Sequence, residues 1–157
     1  MRALRFRGAM RYFEFYKKGL SDNFSGRHEI TEEEITEFGN RWDSQPFHIN
    51  PELAKNTSFG GLVSPAVHLF AIAIGLVTNV PEQDKSAIIS GLGFDAIKLR
   101  LPVRPGDILR AKGTVIESRS SNRNPEAGIV KFFNELINQN NEVVFTYEST
   151  IMVAKKT

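Results

Sequence analysis

Asp43 and His48 are the two side chains of this 157-residue chain whose types and spacing best suit proton chemistry. A carboxylate titrating near ~3.9 and an imidazole near ~6.5 form a pair able to accept and return a proton at neutral pH. On a single helix, five positions would set them roughly 140° apart around the axis. Pro46 stands between them and forbids a continuous helix there. It also biases Gln45 toward an extended backbone, so the loop can bend and bring both groups onto one water. On spacing alone the reading stays open, because an Asp before a helix more often caps it and a His among apolar residues more often packs in a core. Other chemistries fall away more cleanly. The chain has no cysteine, which removes disulfides and thiolate nucleophiles. His28, His48 and His68 stand twenty residues apart without paired ligand spacing, so no metal site is expected.

The elements that must position the pair read as follows. Thr31 is a candidate N-cap and Glu34 sits at the capping-box position, opening a helix over Glu32 to about Asn40 with Ile35 and Phe38 inward. Residues 41–50 have no period, and Asn50-Pro51 then opens a short helix over 51–54. Ser64 to Val77 is the strongest helix signal, apolar nearly all round and so expected to be buried on every side. Segments 87–94, 96–101, 107–118, 128–138 and 142–153 are rich in β-branched and aromatic residues and read as strands. Pro102 to Asp107 and Asn138 to Asn141 read as turns. Helices in the first half and antiparallel strands in the second define an α+β domain, with one long apolar helix lying against a curved antiparallel sheet.

Charge is distributed unevenly. Six of the twenty Lys and Arg lie in residues 1–18, against Glu14 alone, whereas the remainder has 14 basic and 17 acidic residues. Residues 1–18 therefore read as a basic leader, flexible in part, attached to a single domain over 19–157. A mildly acidic body does not offer the basic face that nucleic acid requires. Residues 62–80, the longest apolar stretch, are broken by Ser64, Pro65, His68, Thr78 and Asn79, which excludes a membrane span. The leader lacks the apolar run of a secretory signal, so a cytoplasmic location is expected.

Asp43, Pro46, Phe47, His48 and Ala54 fall in register with the signature loop of the MaoC-like dehydratases and (R)-specific enoyl-CoA hydratases, which this segment resembles. Phe59-Gly60-Gly61-Leu62-Val63 is similar to that family's entry into its central helix, and Arg100 to Asp107 to its strand junction. The resemblance covers roughly residues 25–155 and implies the hot-dog fold, a long central helix wrapped by an antiparallel sheet.

It also implies an activity: reversible addition of water to a trans-2-enoyl thioester to give the (R)-3-hydroxyacyl thioester, carried by coenzyme A or an acyl carrier protein. Asp43 and His48 would be the catalytic pair, and the backbone N–H of Ala66 would hold the thioester oxygen. Gln45 and Pro46 would support the loop. No metal or redox cofactor is implied, and a homodimer or dimer of dimers is. Ala66 stands where the family usually has glycine, and Gln45 where it usually has asparagine. These departures leave a hot-dog thioesterase or a non-catalytic acyl-CoA-binding subunit as alternatives. Lys98, Arg100, Arg104 and Arg110 are the candidates for coenzyme A phosphates, since guanidinium groups suit bidentate phosphate contacts. His68 is expected to be a core histidine and His28 a surface one. Trp42 is expected to pack under the loop and raise the Asp43 pKa by excluding water.

Overall fold

Four long strands and one apolar helix carry the architecture of the computed structural model, which describes residues 10–157. Strands β1 (Ser21–Asn23) and β2 (His28–Glu29) precede helix α1 (Glu32–Trp42), and two single-turn helices follow, α2 (Pro46–Ile49) and α3 (Pro51–Ala54). Helix α4 (Ala66–Thr78) then leads to β3 (Ile88–Leu99), β4 (Ile108–Ser120), β5 (Ala127–Ile137) and β6 (Val143–Ala154). The sheet is antiparallel, in the order β1-β4-β5-β6-β3, with β2 pairing β4 beside β1. Leu69, Ile72 and Ala73 of α4 pack into a core with Leu109, Leu136, Val144 and Phe145 of the sheet. One central helix cradled by a sheet is the hot-dog fold, as the resemblance implies.

Local chemistry explains most boundaries. Thr31 accepts a hydrogen bond from Glu34 N and caps α1, and Asn50 Oδ1 accepts from Glu52 N and Leu53 N and caps α3. Gly106 turns the chain at φ +91° while Asp107 Oδ2 accepts from Arg104 N, closing the 102–107 turn. Asn138 Oδ1 accepts from Asn140 N and Glu142 N, closing the β5–β6 hairpin.

Several expectations need correction. Segments 87–94 and 96–101 are not two strands: β3 runs through Asp95, because register shifts against β6 and a positive φ at Ala96 absorb the irregularity as a bulge. Residues 41–50 are not wholly irregular, since Pro46 occupies the first position of α2, where its missing N–H costs nothing. Helix α4 starts at Ala66, with Pro65 as its cap. Nor is α4 buried on every side, because the sheet covers only one face and leaves Val67 53% exposed.

Residue 18 is not a boundary of packing. Tyr16 is buried, and its hydroxyl is hydrogen-bonded to that of Ser86. Arg11 is ion-paired with Asp22 and Asp84, and its backbone bridges Lys85 and Ala87. Arg2, Arg5 and Arg7 of the expected leader lie outside the described residues.

Candidate active site

Asp43 is the C-cap of α1, its N–H donating to Gly39 O at 2.9 Å, and His48 sits on the single turn of α2. Pro46 breaks the chain between the two elements, and Gln45 is extended as expected (φ −66°, ψ 142°). The two side chains therefore meet, with His48 Nε2 3.6 Å from Asp43 Oδ2. His48 is buried and Asp43 partly open, so the pair faces solvent from the carboxylate side.

The orientation of the imidazole is determined by its other nitrogen. His48 Nδ1 lies 2.7 Å from the carbonyl oxygen of Val63, and a carbonyl only accepts, so Nδ1 carries the proton. Val63 N donates in turn to Phe47 O at 3.0 Å, binding α2 to the segment before α4 by two adjacent hydrogen bonds. Nε2 is left as the group that can take up a proton beside Asp43. At 3.6 Å the two atoms are close enough for one water to hydrogen-bond to both.

Three residues past Val63, Ala66 opens α4, and its N–H has no acceptor among the described residues. It is one of the free donors of a helix start, where the dipole favours developing negative charge. Asp43, His48 and Ala66 are thus linked through Val63. Gln45 and Pro46 contribute backbone: their carbonyls accept from His48 N and Asn50 N. The Gln45 side chain makes no capping bond.

The expected phosphate contacts go to different places. Arg104 donates to Phe59 O, Arg110 to Asn141 Oδ1, and Arg100 Nε to Thr146 Oγ1 on β6, while Lys98 is exposed on β3. Trp42 does not pack under the loop. As the last residue of α1 its ring is 66% exposed, with the Arg41 guanidinium 5.1 Å from its centroid, so it excludes no water from Asp43.

Two contributors escaped the sequence reading. Gly39 faces α2 so closely that a Cβ there would lie 2.9 Å from His48 O and from Ile49 Cγ2. A glycine inside a helix was the available signal for such a close approach. Glu34 is the other. It does not complete a capping box, because its carboxylate instead accepts from His28 Nε2 at 2.9 Å and from His68 Nε2 at 3.0 Å. His68 Nδ1 is then free to accept from the Ser64 hydroxyl at 3.0 Å, and its ring stacks on Phe38. The buried His68 expected in the core is there, while His28 is half-buried rather than simply superficial.

This cluster joins α1 to the start of α4 as a neutral histidine on a charged carboxylate. Burial pulls His68 below its ordinary 6.5 against the opposing pull of Glu34. Burial pushes Glu34 up, but the hydrogen bonds from His28 and His68 outweigh it and hold the carboxyl below 4.5.

Fold and site together define a hot-dog protein with an Asp–His pair beside the start of its central helix. The profile of the MaoC like domain matches residues 19–132, and the chain belongs to that family. A mesaconyl-CoA hydratase of Cereibacter sphaeroides is 33% identical over 93 residues, which are 59% of this chain and 26% of that protein. The chain thus matches about a quarter of the length of that relative. The MaoC-like dehydratase of Rhodospirillum rubrum superposes with a TM-score of 0.83 at 28% identity, over 93% of this chain and 98% of its own. An R-hydratase from Pseudomonas aeruginosa shares the fold, with a TM-score of 0.72 at 20% identity over 92% and 86% of the two chains.

Two outcomes follow. Gly39→Ala forces α1 and α2 apart and costs about 1–3 kcal/mol, read as a lower melting temperature in the purified variant. Because folded His68 resists a proton that the unfolded side chain takes up near 6.5, and folded Glu34 resists one taken up near 4.5, stability is lost as pH falls through each value in turn. Melting curves between pH 7.5 and 4 should show both declines, and His68→Gln should flatten the first.

Proposed function

We propose that this protein reversibly hydrates a trans-2-enoyl thioester to the (R)-3-hydroxyacyl thioester. The observation that carries the reading is the His48 Nδ1–Val63 bond, which turns Nε2 toward the Asp43 carboxylate, and the two are the groups proposed to hold the water. Membership of the MaoC-like family supports a hydratase or dehydratase, and the mesaconyl-CoA hydratase relative supports a coenzyme A thioester as substrate.

In this mechanism the pair removes a proton from the bound water as its oxygen forms a bond to the β-carbon. The electron pair of the double bond moves onto the thioester oxygen, where the Ala66 N–H receives the charge. The same proton then returns to the α-carbon, so water adds across the bond with no net change in protonation. Ala66 keeps the amide donor that glycine would supply, because the donor belongs to the backbone. Of the four cations, Lys98 makes no side-chain hydrogen bond or ion pair among the described residues and is the freest for a coenzyme A phosphate, whereas Arg100 is bonded to Thr146 and Arg104 and Arg110 hold the 59–61 loop and the hairpin.

The working form in this proposal is a homodimer. Strand β3 is an edge strand exposed along its whole length, and it carries Ile88, Ile89, Leu92, Phe94, Ile97 and Leu99, each 41–50% exposed. An apolar edge of that length is a pairing surface for a second copy unless it is covered.

Crotonyl-CoA should lose its conjugated-thioester absorbance on addition of the protein, and Asp43→Asn should slow that loss by at least about a hundredfold. Free thiol release without loss of enoyl absorbance would instead identify a thioesterase, and ligand binding without turnover a non-catalytic subunit. Light scattering should give the mass of two chains or four, and Ile97→Lys should shift it toward one; a monomeric parent protein would refute the assembly.

A further inference from the structure

A cavity of about 430 Å³ lies beyond the candidate site, at the other end of α4. Ile74, Val77, Phe94, Phe132, Tyr147 and Ile151 are among its walls, and the Met10–Leu20 segment closes it. Ala66, Phe70 and Ile74 stand one above another on α4, four positions apart, so they form one stripe along the helix. At 1.5 Å per residue, Phe70 lies about 6 Å below the Ala66 N–H and Ile74 about 12 Å below it. Any chain that leaves a carbonyl held at Ala66 and runs down this stripe meets Phe70 before it reaches the cavity.

Phe70 is held in that position by other rings. Its centroid is 4.8 Å from Phe94 and 5.0 Å from Tyr147, both edge-on, and 6.1 Å from Phe145. Phe94, Tyr147 and Ile74 line the cavity and Phe70 does not, so Phe70, one turn nearer Ala66 than Ile74, packs against the cavity wall from the side of the candidate site. Packed rings at these separations attract one another beyond their simple burial, which disfavours displacement of Phe70 by a flexible alkyl chain.

We propose that Phe70 sets the acyl-chain length of this protein, restricting it to short enoyl thioesters by barring the apolar cavity behind it. This rests on the hydratase reading for the position of the thioester, and the residue acts by touching the acyl chain, not through the Asp43–His48 pair. Removing the ring opens the cavity wall toward Ala66 and admits chains that reach past Ile74.

The test compares kcat/KM for crotonyl-CoA and trans-2-octenoyl-CoA in the parent protein, Phe70→Ala and Phe70→Leu, with melting curves to establish folding. The octenoyl-to-crotonyl ratio should favour the short substrate in the parent and rise at least about tenfold in Phe70→Ala, with Phe70→Leu between. A purely structural role would lower both substrates together and leave the ratio where it was, and an unchanged ratio in either folded variant overturns the proposal. Calorimetric binding of butyryl-CoA and octanoyl-CoA to the same three proteins is read independently of turnover. If no enoyl thioester is hydrated, the hydratase reading fails. The partition then stands or falls on whether octanoyl-CoA gains affinity over butyryl-CoA when the ring is removed.

Discussion

The geometry of the site depends on the backbone of Val63. Its carbonyl accepts the Nδ1 proton of His48, and its N–H donates to Phe47, so one residue binds a helical turn fifteen positions upstream in both directions. Its carbonyl sets which imidazole nitrogen faces Asp43, and the chain then runs straight into the cap of α4. The Asp43–His48 pair and the Ala66 N–H, placed on opposite sides of one peptide segment, cannot drift independently, which is what the roles proposed for them require. Preorganisation of this kind is the usual source of catalytic advantage, since no reorientation is needed when charge develops.

Around that segment the structure spends polar contacts where an apolar core alone would not fix position. Glu34 reaches from α1 to His68 on α4, and Ser64 completes the chain of donors, so the helix that ends in Asp43 is held against the helix that begins at Ala66. Every buried polar side-chain atom among the described residues has a partner, which is the condition for such a network to order the fold and not weaken it. Gly39 acts in the opposite sense, by omission: it removes a side chain so that α1 and α2 touch.

The same helix faces three surroundings. One side is buried in the sheet, another is open at Val67, and the stripe through Phe70 leads toward an apolar cavity bordered by the Met10–Leu20 segment. A helix apolar on nearly all sides makes sense only when something besides its own sheet covers it. The exposed β3 edge makes the same demand of the sheet.

Much of this was legible in the residues. Thr31 and Asn50 as caps, the two turns, the order of helices and strands, and the approach of Asp43 to His48 around Pro46 are all local consequences of side-chain chemistry and backbone restriction, and a linear sequence carries local information directly. The basic charge of residues 1–18 was legible as composition but not as structure. Arg11 looked like part of a solvated tail, and only the fold brings Asp22 and Asp84 to it. Glu34 read as a cap because its nearest neighbours in sequence suggested one, while its partner His68 lies thirty-four residues away. What the sequence determined by itself was the set of reactive groups and the elements that carry them. The tertiary structure alone decided which nitrogen of His48 faces the carboxylate, which glycine permits the contact, and which rings pack around Phe70 beside the cavity. Each of those is a distance between groups far apart along the chain, set by packing that no local pattern records.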